Sequence, residues 1–221
     1  MPDCLDGFVV IGGGVCGCLL AHELATRTVA NVWIVEAGGE QAENAADRLR
    51  PARWLHLLGS SDDDSHPTEP SRSLSGRKMD WPRGRGLGGS GRINAMIWVP
   101  PHRRDWQTLA GQGLDQRELE RAYEIAIDRI ATEAPGYLSE TSRRFLDAMR
   151  TRSDLGKFTA YRRINRNARR WTTASLLNDL KRNDPDAASR LRVIGGSVQV
   201  CKFVTEGSNR SIDPMRNPGI E

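Results

Sequence analysis

The chain has 221 residues, of which 38% are hydrophobic and 27% charged, and its formal net charge is +4. That length supports a core burying roughly 70% of the unfolded surface. No apolar run approaches the ~18 residues of a membrane-spanning helix, and Asp3 and Asp6 stand where a secretory signal would carry basic residues.

Phe8-Val9-Val10-Ile11 is a continuous apolar run, as expected of a strand covered on both faces. The turn Gly12-Gly13-Gly14-Val15-Cys16-Gly17 follows it, and Val15 to Thr26 reads as a helix with Leu19, Leu20 and Leu24 as its apolar stripe. Val32 to Val35 is a second strand, ending in Glu36. In such a strand-turn-helix-strand unit each glycine has a task. Gly12 permits the tight turn, Gly14 removes the side chain that would block a pyrophosphate, and Gly17 lets the helix pack closely on the sheet. The helix N-terminus offers unpaired N–H groups and partial positive charge to phosphates. Glu36, 19 residues beyond Gly17, is placed to accept ribose hydroxyls and to repel a 2′-phosphate, favouring FAD or NAD over NADP.

From Gly38 to Gly76 the chain reads as irregular, with a short helical piece near Ala45 to Leu58 and a polar loop at Ser60 to Ser65 bounded by Pro67 and Pro70. A second glycine loop spans Gly84 to Gly91. Gly88 and Gly89 expose backbone amides to an approaching phosphate, and Ser90 adds a hydroxyl. Two such loops with an acidic strand end between them suggest one long dinucleotide gripped at more than one point. Asn94 to Trp98 reads as a helical turn, and Arg117 to Ile130 as an amphipathic helix. Leu191 to Ile194 and Val198 to Val204 read as strands, and the polar tail after Glu206 continues no strand pattern.

Cys4, Cys16, Cys18 and Cys201 show no metal-ligand spacing, which leaves small buried thiols in a reducing, cytoplasmic compartment and no metal site. Between Arg143 and Arg192 there are 14 Lys or Arg against 5 Asp. The arginines lack aromatic interleaving, so a solvated basic surface is expected rather than a nucleic-acid face.

The segment from Gly84 to Pro101 closely resembles the first signature of the glucose-methanol-choline (GMC) flavoprotein oxidoreductases. Asp6 to Gly14, Glu36-Ala37-Gly38, Leu74 to Arg77 and Trp81 to Gly84 are similar to the same family's N-terminal region. A fainter likeness continues in Arg104-Asp105-Trp106 with Gly111 and Gly113, and in Arg170 to Leu177. The resemblance covers about residues 6 to 205. It implies an α/β chain with an incomplete Rossmann-like FAD-binding domain and the beginning of an α+β substrate-side domain. The divisions expected are 1–101 for the FAD domain, 102–165 for the substrate side, 166–205 for the return to the FAD domain and 206–221 for the tail.

The resemblance also implies the cofactor contacts: Gly12, Gly14, Val15, Gly17, Glu36, Ala37, Arg85, Gly88, Gly89 and Ser90. Asn94, Ala95 and Met96 would run beside the flavin, with the start of the expected 94–98 turn facing the ring. Val200 would meet adenine through its backbone. Some members attach the flavin through a histidine just before the asparagine. Ile93 stands there, so noncovalent FAD is expected. The family's activity is oxidation of a small-molecule alcohol by hydride transfer to flavin N5, with the hydroxyl proton going to a histidine paired with a histidine or asparagine.

That pair falls near the C-terminus of longer chains and is not found here, so a truncated, choline dehydrogenase-like fragment is expected. It would have an uncovered sheet edge and poor solubility. His22, His56, His66 and His102 are not assigned as its replacement, and no catalytic residue is named. The alternatives are a noncatalytic FAD-binding remnant, an NAD-dependent Rossmann protein and a basic nucleic-acid binder.

Overall fold

The computed structural model describes residues 6–38, 46–152, 154, 158–198, 203–205 and 208–210. The centre is a parallel sheet of β1 (Phe8–Ile11), β2 (Val32–Glu36) and β9 (Leu191–Gly195), in the order β1-β2-β9. Val10 lies opposite Ile34, and Ile34 opposite Val193. Helix α1 (Val15–Arg27) joins β1 to β2 and packs on the sheet beside α6 (Ala174–Asn183). A six-residue helix, α7 (Pro185–Arg190), leads into β9.

The buried face of α1 is Cys18, Ala21, His22 and Ala25, while Leu20 lies in solvent. This differs from the leucine stripe expected above, and the cause is distance. Gly17 packs so tightly on the turn that a Cβ there would lie 1.9 Å from the Gly12 carbonyl oxygen. A helix held that close has room only for small side chains at the i, i+3 and i+7 positions facing the strand. Ile34 and Val32 fill the space beneath, fully buried, with Leu177 and Leu180 of α6 closing the core.

Strand β1 also departs from expectation. Only Val10 is buried, while Phe8, Val9 and Ile11 are 42%, 44% and 57% exposed. Among the described residues β1 is an edge, paired with β2 on one side alone.

The intervening chain forms α2 (Ala46–Leu49) with a 3-10 turn at Pro51–Leu57, and then a short hairpin of β3 (His66–Pro67) and β4 (Asp80–Trp81). The helical turn expected at 94–98 lies earlier, at Gly89–Arg92, and Ile97–Trp98 is instead β5. Met96 excludes a helical turn at 94–98: its φ is +57°, left-handed backbone that no right-handed turn can include. Helices α3 (Arg103–Ala110), α4 (Gln116–Arg129) and α5 (Glu140–Arg150) contain no buried residue. Tyr123 of α4 packs against Trp98 and Trp106, with ring centroids 6.3 and 5.3 Å away.

The chain then returns through β6 (Arg162–Arg163), antiparallel to β5, and a hairpin of β7 (Asn165–Arg166) and β8 (Arg169–Arg170). Of the strand expected at 198–204, residues 203 and 204 fall in β10 (Phe203–Thr205), paired with β11 (Ser208–Arg210). Residues 199 to 202 lie outside the described set.

Candidate dinucleotide-binding site

The first glycine loop leaves β1 through Gly12, whose N–H donates to Val35 O at 2.8 Å. Gly14 is the N-cap of α1, with no side-chain cap and no acid in the first turn. Among the described residues nothing lies within 4 Å of a Cβ placed on Gly12 or Gly14. Gly14 thus presents no side chain at the positive end of a 13-residue helix.

The second loop reaches the same place. Gly88, at φ +90°, donates its N–H to the Gly13 carbonyl at 2.7 Å. A Cβ on Gly89 would lie 2.7 Å from Gly14 Cα. Residues some seventy positions apart are thus in backbone contact, and only glycine allows it. Ser90 Oγ accepts from Gly84 N–H at 3.1 Å, closing the loop on itself. Leu87 roots the loop in the core beside Val10 and Ile34.

Glu36 sits at the junction, 7% exposed. Its Oε2 accepts from Gly13 N–H at 2.7 Å, and its Oε1 accepts from Gly38 N–H at 2.9 Å and Gly86 N–H at 3.0 Å. One carboxylate thus gathers three backbone segments. Of its roughly four lone pairs, three are engaged, and among the described residues one on Oε2 has no donor. Glu36→Gln is expected to destabilise the protein by about 1–3 kcal/mol, because an amide NH2 would face a backbone N–H. Urea unfolding of the two proteins measures it.

Beneath the loop lies a charged cluster that local sequence reading did not identify. Asp62 Oδ1 accepts from Arg92 Nη2 at 3.0 Å, and Oδ2 from Arg48 Nε at 2.5 Å. Asp62 and Arg92 are buried. Arg92 Nη1 donates to Leu87 O at 3.2 Å, so the cluster holds the loop from below. Burial alone would raise the Asp62 carboxyl, but hydrogen bonds and charge from Arg48 and Arg92 outweigh it and hold the group below the usual carboxylate range. Arg170, also unassigned from sequence, is buried in β8, and burial pulls its pKa down to about 10. It remains charged at neutral pH. Its guanidinium donates to the carbonyls of Gly91, Asn94 and Arg48.

The other sequence-derived positions spread around this centre. Val15 is half-exposed at the start of α1, Ala37 is exposed, and Arg85 Nη2 donates to Ala37 O at 3.3 Å. Asn94 is exposed, Ala95 partly so, and Met96 is buried. Val200 lies outside the described residues.

Of the histidines, His22 is buried in α1 with Nδ1 3.2 Å from Glu23. His102 caps α3, its Nδ1 accepting from Arg104 N–H and its backbone N–H donating to Asp105. His56 and His66 are exposed. Among the described residues no group of three or more His, Cys, Asp or Glu could hold a metal, and no helix is long and apolar enough to cross a membrane.

The family model for GMC oxidoreductase matches residues 7–170, which include both loops and Glu36. The chain belongs to the GMC oxidoreductase family. Among GMC relatives, the glucose dehydrogenase [FAD, quinone] of Drosophila pseudoobscura pseudoobscura is 35% identical over 116 residues, covering 51% of this chain and 18% of that protein. The pyridoxine 4-oxidase of Microbacterium luteolum is 35% identical over 108 residues, 49% of this chain and 21% of that one. The crystal structure of pyridoxine 4-oxidase from Mesorbium loti superposes with a TM-score of 0.71 at 26% identity, over 90% of this chain and 44% of that chain. The match thus spans about a fifth of the length of these curated GMC proteins and under half of the solved one. The fold is that of a partial Rossmann-like domain of this family.

Proposed function

We propose that this chain is the FAD-binding part of a flavoprotein oxidoreductase that oxidises a small-molecule alcohol, and that it holds the flavin noncovalently. The observation that carries the proposal is the contact between the two loops, Gly88 N–H to Gly13 O at 2.7 Å, beside the N-terminus of α1. The donor set suits a dinucleotide. Backbone amides at the start of α1 and at Gly88 to Ser90 suit a pyrophosphate, and the remaining Glu36 lone pair suits a ribose hydroxyl. The Glu36 charge also disfavours a 2′-phosphate.

Bound flavin supplies the hydride acceptor. The chain supplies position: Asn94 to Met96 leave the second loop where they can flank a ring anchored by it. Ile93 is buried and has no nucleophilic atom, which supports noncovalent attachment. Membership of the GMC family, and relatives named for glucose and pyridoxine, both hydroxyl-bearing compounds, support an alcohol substrate.

A noncatalytic FAD binder is the second reading. It is favoured by the histidines: His22 is buried in a helix, His102 is committed to a cap, and His56 and His66 are exposed. The purified chain mixed with FAD is expected to retain a flavin absorption band through gel filtration. Acid precipitation is expected to release the flavin to the supernatant. Bleaching by an alcohol without oxygen selects the enzyme, and a stable band selects the binder. Absence of the band overturns both, and flavin left in the pellet overturns noncovalent attachment.

A further inference from the structure

We propose that Arg170 is a positioning residue that fixes the Asn94 carboxamide with its two N–H donors facing outward, toward an oxygen acceptor of the bound cofactor. The inference rests on the FAD-binding reading. Asn94 Oδ1 accepts from Met96 N–H at 3.0 Å and from Arg170 Nη1 at 3.0 Å. A backbone N–H and a guanidinium only donate, so the atom between them must be the amide oxygen. The amide nitrogen then takes the opposite side. Asn94 is exposed, and among the described residues its Nδ2 donates to nothing.

The surroundings are built to hold this orientation. Arg170 is 5% exposed. Its Nη1 is shared among Asn94 Oδ1, Asn94 O at 2.8 Å and Gly91 O at 3.0 Å, and its Nε donates to Arg48 O at 3.0 Å. Met96 keeps its left-handed backbone because both ends are tied: its N–H to Asn94 Oδ1, and its carbonyl to Ile164 N–H at 2.8 Å. Strained non-glycine backbone persists where the surroundings over-determine it. The hold on Met96 O and on Asn94 Oδ1 comes from the returning segment 164–170, which follows helices α3 to α5 in the chain. Its effect is to fix what the exit of the second loop displays. A fixed pair of donors suits a pyrophosphate oxygen or a flavin carbonyl.

The deciding variant is Asn94→Asp. A carboxylate keeps the acceptor for Met96 N–H and pairs with Arg170, so apoprotein melting is expected to stay level or rise. The outward donors become an anionic oxygen, so FAD affinity is expected to fall at least about tenfold. ADP is titrated alongside. A parallel loss places the acceptor on the pyrophosphate, and loss for FAD alone places it on the flavin.

Arg170→Met tests the positioning. Without any cofactor, the two Asn94 side-chain amide proton resonances are expected to lose their separate, shifted positions, and Arg170→Lys is expected to restore them in part. In the Asn94→Asp background, Arg170→Met should weaken FAD binding by a smaller factor than it does alone. FAD binding by Asn94→Asp within about twofold of the parent overturns the inference, as do unchanged Asn94 resonances in Arg170→Met. A parent chain that takes no FAD sinks the cofactor reading instead, while the resonances still decide whether Arg170 orients the amide.

Discussion

Gly17→Ala is expected to lower the melting temperature by about 10 °C, whereas Gly14→Ala, three residues earlier, leaves it nearly unchanged and weakens FAD at least about tenfold. At Gly17 the new Cβ would lie 1.9 Å from the Gly12 carbonyl oxygen and 3.1 Å from its carbon. Both are backbone atoms fixed by the turn, and Gly12 N–H is already bound to Val35 O. Neither neighbour can swing aside, so helix α1 must lift from the sheet and take Cys18, Ala21 and Ala25 with it. Losses of about 3–5 kcal/mol are the size such backbone and core disruptions reach.

Gly14 is the opposite case. Its φ is −69° and ψ −167°, extended backbone open to any residue, and among the described residues a Cβ meets nothing within 4 Å. Alanine costs under about 1 kcal/mol there through a poorer N-cap. The same methyl would stand where a phosphate approaches the first-turn amides. Thermal unfolding followed by circular dichroism, with a flavin titration, separates the two variants. Equal melting losses, or unchanged FAD affinity in Gly14→Ala, would overturn this division of roles.

Asp62→Asn is expected to cost about 3–5 kcal/mol, the usual consequence of removing one partner from a buried ion pair. Asp62 is the carboxylate shared by Arg92 and Arg48. Its backbone carbonyl also accepts from Arg85 N–H at 2.9 Å, so the second loop loosens with the cluster. The pH dependence follows from the direction of the shift. A carboxyl held below its ordinary value in the folded state stabilises fully above the unfolded pKa of about 4, and that contribution is lost as pH falls through the folded pKa.

Asp179, offset against burial by Arg166 and Arg182, behaves alike, as does Glu23, offset by His22, Arg129 and Arg27. Stability is therefore expected to fall below about pH 4, more shallowly in Asp62→Asn than in the parent. Urea midpoints measured between pH 3 and 7 give both slopes, and an identical acid limb in the two proteins would contradict the assignment.

What the sequence disclosed was what local pattern encodes. β1, α1 and β2 follow from an apolar run, a glycine turn and a second apolar run, and α4 from its 3.6-residue period. The buried face of α1 was hidden because closeness to the sheet, not hydrophobicity, selects Cys18, Ala21 and Ala25. The turn at 94–98 was misplaced because the Asn94 side chain captures the Met96 amide, a choice that composition does not announce.

For the site, the glycines and Glu36 are legible from local pattern but their mutual grip is not: three amides converging on one carboxylate require three segments folded together. Asp62 with Arg92, and Arg170 with Asn94, are separated by 30 and 76 residues and carry no periodic signal. Arg92 and Asn94 fall within the stretch of strong family likeness and Arg170 within the fainter one, but nothing in either stretch announces the pairing.

The grip of Glu36 and Gly13 on the second loop is made entirely by groups of the chain itself. The entropy of closing a span of some seventy residues is therefore met during folding, and capture resembles docking into a rigid mould. Uptake should show single-step kinetics, with a heat-capacity change set by the ligand's own buried surface and little added by loop ordering.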